Sequence, residues 1–151
     1  MSKVSSEKID EYRKGFNDAS GKQRVFAFFE KTLLDGIELC AEEIGGSAEG
    51  CYYFQVYSNS KSKGALFEEL IGKIEKGLAT QSLEPLNAAS RYAGGMPGYH
   101  IREGCNHYSA RILNSGVVID GVFMSYSEFG RMMSSYEGFV MRVEIVDLND
   151  A

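Results

Sequence analysis

The sequence predicts an α+β fold, in which a helix-rich N-terminal half packs on a small, mostly antiparallel sheet from the C-terminal half. Apolar residues recur at every third or fourth position through most of residues 9–78, which is typical of amphipathic helices. A hairpin signal and alternating apolar residues instead mark residues 117–145, which is typical of strands. The chain has 151 residues, of which 44% are hydrophobic. This length suits one core, so we predict a single domain over residues 1–151.

Two helices are predicted before residue 46. Ile9, Tyr12 and Phe16 lie on one face of a short helix. Ser20 then has capping-box spacing to Gln23, which predicts the start of a longer helix. The apolar positions of this longer helix are Phe26, Phe29, Leu33, Ile37, Cys40 and Ile44. The glycine pair that follows them is a typical helix end.

The middle of the chain predicts one strand, one helix and one long loop. Residues 51–57 are aromatic and β-branched, which predicts a strand. The next helix has four apolar residues at a spacing of four, namely Leu66, Leu70, Ile74 and Leu78. Residues 83–98 lose this pattern and contain a glycine-rich and proline-containing stretch at 94–98. We consider two interpretations of that stretch, a lid beside Cys105 and an ordinary turn-rich connection.

The C-terminal third predicts a hairpin, a helix and a final strand. Asp120-Gly121 lies between the apolar runs 117–119 and 122–124, which predicts a two-residue hairpin turn. Ser125 and Glu128 have capping-box spacing and predict a short helix. The inward residues of this helix are Phe129, Met132 and Tyr136. Apolar residues then alternate from Phe139 to Ile145, which predicts a strand. Residues 105–113 fit either a helix or a strand.

Charge and cysteine content narrow the function classes. The chain carries 16 basic and 21 acidic residues, a net charge of −5, which gives no basic patch for a nucleic acid. No apolar run approaches the length of a membrane span, so we expect a soluble protein that does not bind membranes. The three cysteines are few and widely spaced, which favours reduced thiols and a cytoplasmic location. No cofactor is expected.

Three residues that could carry chemistry lie close together in the sequence: His100, Cys105 and His107. A cysteine hydrolase needs a thiol with an imidazole within hydrogen-bond reach. A zinc site needs three or four nitrogen and sulfur ligands, but this spacing matches no standard zinc signature. Cys51 or Glu103 would have to complete the shell, and we predict no metal. A third interpretation is that Cys105 is a small apolar residue of the core.

The segment from Gly98 to Gly116 contains Cys105 and a later Leu113-Asn114 pair. It resembles the nucleophile segment of the type VI secretion peptidoglycan amidases, in which a Gly-aromatic turn precedes a cysteine that opens a helix. The resemblance implies that Cys105 is the nucleophile at a helix N-terminus, where the helix dipole lowers the pKa of a thiol. The family's catalytic histidine lies well downstream of its cysteine, and this chain has no histidine after His107. A hydrolase built on Cys105 would therefore use His100 or His107 as the base.

Acidic and tyrosine residues support a different function. Glu42 and Glu43 are predicted on the outer face of the longer helix, where they could attract a basic partner. Exposed tyrosines suit binding surfaces, and the candidates are Tyr52, Tyr92, Tyr99 and Tyr108. We therefore expect a small acidic binding or inhibitory protein, of the immunity or anti-defence type. It would sequester a protein or a small anionic ligand without turnover.

Two other hypotheses are kept. The first is the cysteine-dependent, amidase-like hydrolase with Cys105 as nucleophile. The second is a structural or oligomerising subunit, for which the sequence gives no distinct signal. The sequence leaves open whether the chain forms a homo-oligomer.

Overall fold

The structure, a computed structural model, describes residues 5–45, 50–85 and 98–151, with side chains described from residue 12 onward. The described residues form two compact units, which consist of residues 5–45, 52–80 and 144–151 and of residues 50–51, 81–85 and 98–143. The single domain predicted from the chain length stays a prediction. None of the described helices is long and apolar enough to cross a membrane.

The first unit is built on a four-stranded antiparallel sheet whose strands follow each other in chain order. The strands are β1 (Ser5–Asn17), β2 (Gln23–Leu33), β3 (Gly36–Glu43) and β4 (Tyr53–Ser58). Helix α1 (Lys63–Ala79) follows β4 and packs on one face of the sheet. Its buried residues are Leu66, Leu70, Ile74 and Leu78, which confirms the predicted helix. The strand predicted at residues 51–57 is likewise confirmed as β4.

The prediction of a helix-rich N-terminal half is wrong, because residues 5–43 form three strands and the turns between them. Phe26 and Phe28 are both buried on the α1 side of β2, with the period of two of a strand. Phe29 lies on the opposite side of β2. Apolar residues on both sides of this strand therefore produce a spacing that also fits a helix. The fold is mostly β, with two α-helices among the described residues.

The predicted capping box at Ser20 is part of the β1–β2 turn instead. The backbone N–H and the hydroxyl of Ser20 donate hydrogen bonds to the Asp18 carboxylate, at 2.9 and 2.6 Å. Gly21 has a φ of +84°, a conformation that glycine adopts without steric cost. These local hydrogen bonds satisfy the same polar groups that would otherwise cap a helix.

The C-terminal residues of the first unit are hydrogen-bonded to strand β4 and helix α1. A 3₁₀ turn (Leu148–Asp150) lies beside this strand. The ammonium of Lys73 on α1 donates to the carbonyls of Gln55 and Leu148, each at 2.8 Å. The Gln55 amide also donates to the side-chain oxygen of Asn149 at 3.0 Å. Partial burial lowers the pKa of Lys73, although nearby carboxylates oppose that shift.

The second unit contains two small antiparallel sheets and one helix among its described residues. Strand β5 (Leu83–Pro85) pairs with β6 (Tyr99–Ile101). A three-stranded sheet consists of β7 (Arg111–Ile112), β8 (Gly116–Ile119) and β9 (Val122–Ser125). Helix α2 spans Tyr126–Ser134. The core of this unit is formed by Leu83, Ile101, Val117, Ile119, Met124 and Met132.

The hairpin and the second helix are confirmed. Asp120 and Gly121 have φ values of +52° and +74°, as a two-residue hairpin turn requires. Ser125 and Glu128 form the reciprocal capping box at the start of α2. Met132 is buried in this helix, and Phe129 and Tyr136 pack against the same core.

Two other predictions for the C-terminal half are settled by the structure. The predicted final strand from Phe139 to Ile145 is wrong, because these residues form neither helix nor strand and their apolar side chains are exposed. Within residues 105–113, only Arg111–Ile112 is a strand and no helix is present. Most of the glycine-rich stretch proposed as a lid lies outside the described residues.

Candidate functional site: the outer face of the sheet

The candidate site is the face of the four-stranded sheet opposite α1, which we call the outer face. Successive side chains of a strand point to opposite faces, so every second residue of each strand belongs to it. In strands β2 to β4 its side chains are Val25, Ala27, Phe29, Lys31, Glu38, Cys40, Glu42, Tyr53, Gln55 and Tyr57. α1, the one α-helix among the described residues of this unit, packs on the other face.

Aromatic side chains occupy the centre of the outer face. Phe29 on β2 pairs with Cys40 on β3, and Tyr53 on β4 pairs with Glu42, the next outer-face residue of β3. The ring centroids of Phe29 and Tyr53 are 6.3 Å apart. Both rings are half-buried, whereas Cys40 beneath them is fully buried. The centre therefore offers aromatic surface to a ligand.

Neither the thiol nor the phenol at this centre is ionised at neutral pH. Burial raises the pKa of Cys40 and also that of Tyr53. A hydrogen bond that joins the two side chains raises the pKa of Tyr53 further, and the carboxylates of Glu38 and Glu42 act in the same direction. Cys40 is thus a packing residue rather than a thiolate nucleophile.

Carboxylates lie beside the aromatic centre. Glu38 is mostly buried and forms an ion pair with Lys31 across the β2–β3 pairing, at 3.7 Å. Glu42 is exposed and forms no ion pair with any other described residue. An exposed carboxylate next to half-buried aromatic rings can attract a basic group while the rings supply contact area.

Glu43, the second predicted acidic binding residue, lies on the α1 side and has a structural role. Its carboxylate accepts a hydrogen bond from Arg24 at 2.9 Å and one from the backbone N–H of Tyr52 at 3.2 Å. Arg24 also donates to Asp18 at 2.8 Å, so one guanidinium holds two carboxylates.

This network shifts the pKa values of Asp18 and Arg24. Burial opposes ionisation of Asp18, but hydrogen bonds from Ser20, Arg24 and the Lys22 backbone outweigh it and lower the pKa to about 2. Burial likewise opposes the charge of Arg24, and the two carboxylates outweigh it to raise its pKa. Asp18 and Arg24 therefore stay ionised across the neutral range, and the network ties the β1–β2 turn to the end of β3.

The predicted binding residue Tyr52 also belongs to this network and to the core. Its ring stacks on Phe54 at 5.9 Å, with an interplanar angle of 9°. The Arg24 guanidinium lies 5.1 Å from the centre of the Tyr52 ring. Both aromatic residues pack against the first core, so Tyr52 stabilises the unit on the side opposite the outer face.

The other predicted tyrosines lie in the second unit. Tyr99 and Tyr108 are partly buried against its core. The Tyr108 hydroxyl donates to the sulfur of Met133 at 3.3 Å, and burial raises the pKa of this phenol. Tyr92 lies outside the described residues.

No thiol–imidazole hydrogen bond joins the three residues of the predicted thiol site in the described part of the chain. Cys105 is half-buried against the second core, and its thiol donates to the backbone carbonyl of His107 at 3.1 Å. His100 on β6 has its Nδ1 3.0 Å from the carbonyl of Ile101 and its Nε2 3.7 Å from Glu84. The helix that the amidase resemblance implies at Cys105 is not formed.

In the described part of the chain, no group of three or more His, Cys, Asp or Glu side chains is placed to hold a metal ion. Cys40, Cys51 and Cys105 are all free thiols.

Phe29 and Tyr53 are not among the binding residues predicted from the sequence. The signal that could have found them is the alternation of Ile37, Leu39 and Ala41 with more polar neighbours, which is typical of a strand. With β3 recognised, the cross-strand neighbours on each face follow from the register.

Two family models match separate parts of the chain, and each covers less than half of it. Residues 8–79 match a domain of unknown function, DUF7686, and this match includes β2, β3, β4 and α1. Residues 107–150 match another domain of unknown function, DUF7713. Neither the curated proteins nor the solved structures contain a match to this chain. The outer face lies within the region that is similar to DUF7686.

Proposed function

We propose that this protein is a non-catalytic binding protein that holds a protein partner on the outer face of its four-stranded sheet. One observation carries the proposal: Phe29 and Tyr53 form a half-buried aromatic centre, and the exposed Glu42 lies beside it. An aromatic centre with a polar surround is the usual composition of a protein-binding surface. Masking of a partner in this way is how an inhibitor of the immunity or anti-defence type would act.

The charge of the chain favours a partner with a basic patch. The net charge is −5, and Glu42 has no described cation to neutralise it. Carboxylates attract a basic protein surface and repel a small anion, so a protein partner is favoured over the anionic ligand. Association should consequently slow as salt concentration rises.

The surroundings of Cys105 do not favour the amidase-like hydrolase. The Cys105 thiol donates to the backbone carbonyl of His107 rather than to an imidazole, and the His107 side chain is exposed. The binding proposal requires that Cys105→Ala leave partner binding unchanged.

A comparison of two charge reversals tests the proposal. Immobilised wild-type protein, Glu42→Lys and Glu75→Lys are each exposed to a lysate of the source cells. Glu75 is an exposed residue of α1, on the other side of the sheet, so Glu75→Lys makes the same charge change away from the outer face. We expect a protein that wild type and Glu75→Lys retain and that Glu42→Lys loses. Retention of the same proteins by all three would contradict the proposal, as would no specific retention by wild type.

A further inference from the structure

The segment after helix α2 exposes an unusual amount of apolar surface. Residues 139–147 form neither helix nor strand. Monomeric soluble proteins rarely expose a contiguous apolar surface of this kind. The exposed fractions are 78% for Phe139, 86% for Val140, 64% for Met141, 67% for Val143, 75% for Ile145 and 48% for Val146.

The backbone of this segment is also available for pairing. No N–H or carbonyl of residues 140–146 hydrogen-bonds to another residue in the part of the chain that the structure describes. The segment contains no proline, and most of its residues are β-branched or otherwise apolar. Unpaired backbone groups beside such residues are a template for strand pairing with another chain.

We propose that two copies of this chain associate through antiparallel pairing of residues 139–147, about a two-fold axis at Val143. In this arrangement Arg142 of each copy lies opposite Glu144 of the other, which gives two opposite-charge pairs. Val140 lies opposite Val146, and Met141 lies opposite Ile145. Each of these cross-strand pairs is favourable.

The neighbouring registers are unfavourable because they place like charges opposite each other or move the apolar side chains of one copy to the other face. A two-fold axis at residue 142 would place Arg142 opposite Arg142, and an axis at residue 144 would place Glu144 opposite Glu144. A shift by a single residue would move the apolar set of one copy to the opposite face of the ribbon. A parallel pairing in register would again oppose like charges. The cross-strand charge pairs therefore favour a second copy of this chain as the partner, in the antiparallel register centred on Val143.

Charge-swap variants test this pairing, with the mass of the full chain in solution as the measurement. Sedimentation velocity over a concentration series should show wild type approaching twice the chain mass of 16.7 kDa. Arg142→Glu places Glu opposite Glu twice, and Glu144→Arg places Arg opposite Arg twice. Each single variant should raise the dissociation constant of the dimer at least tenfold, and the double variant R142E/E144R should restore it.

A mixture of the two single variants gives the sharpest result. In a mixed pair, the glutamate introduced by Arg142→Glu in one chain lies opposite the arginine introduced by Glu144→Arg in the other. The unchanged Glu144 of the first chain lies opposite the unchanged Arg142 of the second. Every charge pair is then of opposite sign, so the mixture should form a heterodimer while each variant alone stays monomeric.

The variants should fold, because both residues are exposed and make no described contact within the chain, and circular dichroism checks this. A wild type that stays monomeric at every concentration overturns the proposal. So does a dimer that the single variants leave unchanged, or a mixture that stays monomeric.

Discussion

Glu42 and Glu43 are adjacent in the sequence but lie on opposite faces of the four-stranded sheet. Glu43 pairs with Arg24 at 2.9 Å on the side of α1, whereas Glu42 is exposed on the outer face. The two carboxylates therefore have different roles, the first in stability and the second in the proposed binding. This difference gives matched variants that separate folding from function.

Removal of the Glu43 charge should destabilise the protein. Glu43→Gln weakens the charge-assisted hydrogen bond from Arg24 and leaves part of that guanidinium's charge uncompensated. We expect a loss of about 1–3 kcal/mol in the free energy of unfolding. Glu42→Gln should change it by less than about 0.5 kcal/mol, because the side chain is exposed. Urea unfolding followed by circular dichroism measures both, and equal losses would contradict the assignment of Glu43 to the network.

Asp18 should make stability depend on acid pH. Its folded-state pKa of about 2 lies below the ordinary value of 3.8, so its contribution is fully present above about pH 5. That contribution is lost as pH falls through about 4 toward 2. The difference in unfolding free energy between wild type and Asp18→Asn should therefore shrink over this interval. Urea midpoints at several pH values test this, and a difference that stays constant from pH 5 to pH 2 would show that Asp18 is not held as described.

The three cysteines should differ in their reaction with an alkylating agent. Cys40 and Cys51 are buried, at 0% and 6% exposure, and burial raises the pKa of Cys40. Cys105 is half-buried, so it should be alkylated first in the native protein. Mass spectrometry of iodoacetamide-treated protein resolves the sites. Modification of Cys40 at the rate of Cys105 before unfolding would mean that the centre of the outer face is open to solvent.

The Asp120 carboxylate should stabilise the second unit. It accepts hydrogen bonds from the backbone N–H groups of Ser82 and Leu83, at 2.7 and 2.8 Å, and Ser82 is buried. Asp120→Ala would leave the N–H groups of Ser82 and Leu83 without this acceptor. Residue 120 also has a φ of +52°, a conformation that alanine adopts poorly. We expect a loss of about 2 kcal/mol or more.

Asp120→Asn serves as the control for that variant. Asparagine tolerates the left-handed conformation and keeps one acceptor oxygen, so it should cost less than the alanine variant. Thermal unfolding followed by circular dichroism compares the two, and an alanine variant as stable as the asparagine variant would contradict the role of the carboxylate.

The parts of the fold that sequence predicts well depend on local chemistry. The Asp120-Gly121 turn requires two residues that adopt positive φ, and the capping box requires one reciprocal pair of hydrogen bonds. Helix α1 was found because a single face carries four aliphatic residues at a constant spacing. None of these features depends on distant parts of the chain.

Helices are predicted in place of the N-terminal sheet because the pairing that identifies the sheet involves several strands. Apolar residues on both sides of β2 imitate a helical period, and only pairing with β1 and β3 distinguishes the two. The tight β2–β3 turn precedes Gly36, where an added Cβ would lie 2.5 Å from the carbonyl oxygen of Ser58. That close approach comes from a distant strand, so the sequence alone does not show why glycine is needed there.

The candidate site could be predicted only in composition. The sequence shows how many tyrosines and acidic residues the chain has, but the face that each side chain occupies depends on where its strand begins. A difference of one position exchanges Tyr52 for Tyr53 and Glu43 for Glu42. Strand boundaries are the least certain part of a prediction from sequence, so the predicted binding residues include Tyr52 rather than Tyr53 and group Glu42 with Glu43.

The measurement that tests the central claim most directly is calorimetric titration of the retained partner into wild type, Glu42→Lys, Glu75→Lys and Cys105→Ala. If the outer face binds the partner, Glu42→Lys weakens the affinity at least tenfold, which is about 1.4 kcal/mol. The other two variants then match wild type. Equal affinity for Glu42→Lys and wild type, or loss of binding in a folded Cys105→Ala, would contradict the outer face as the binding site.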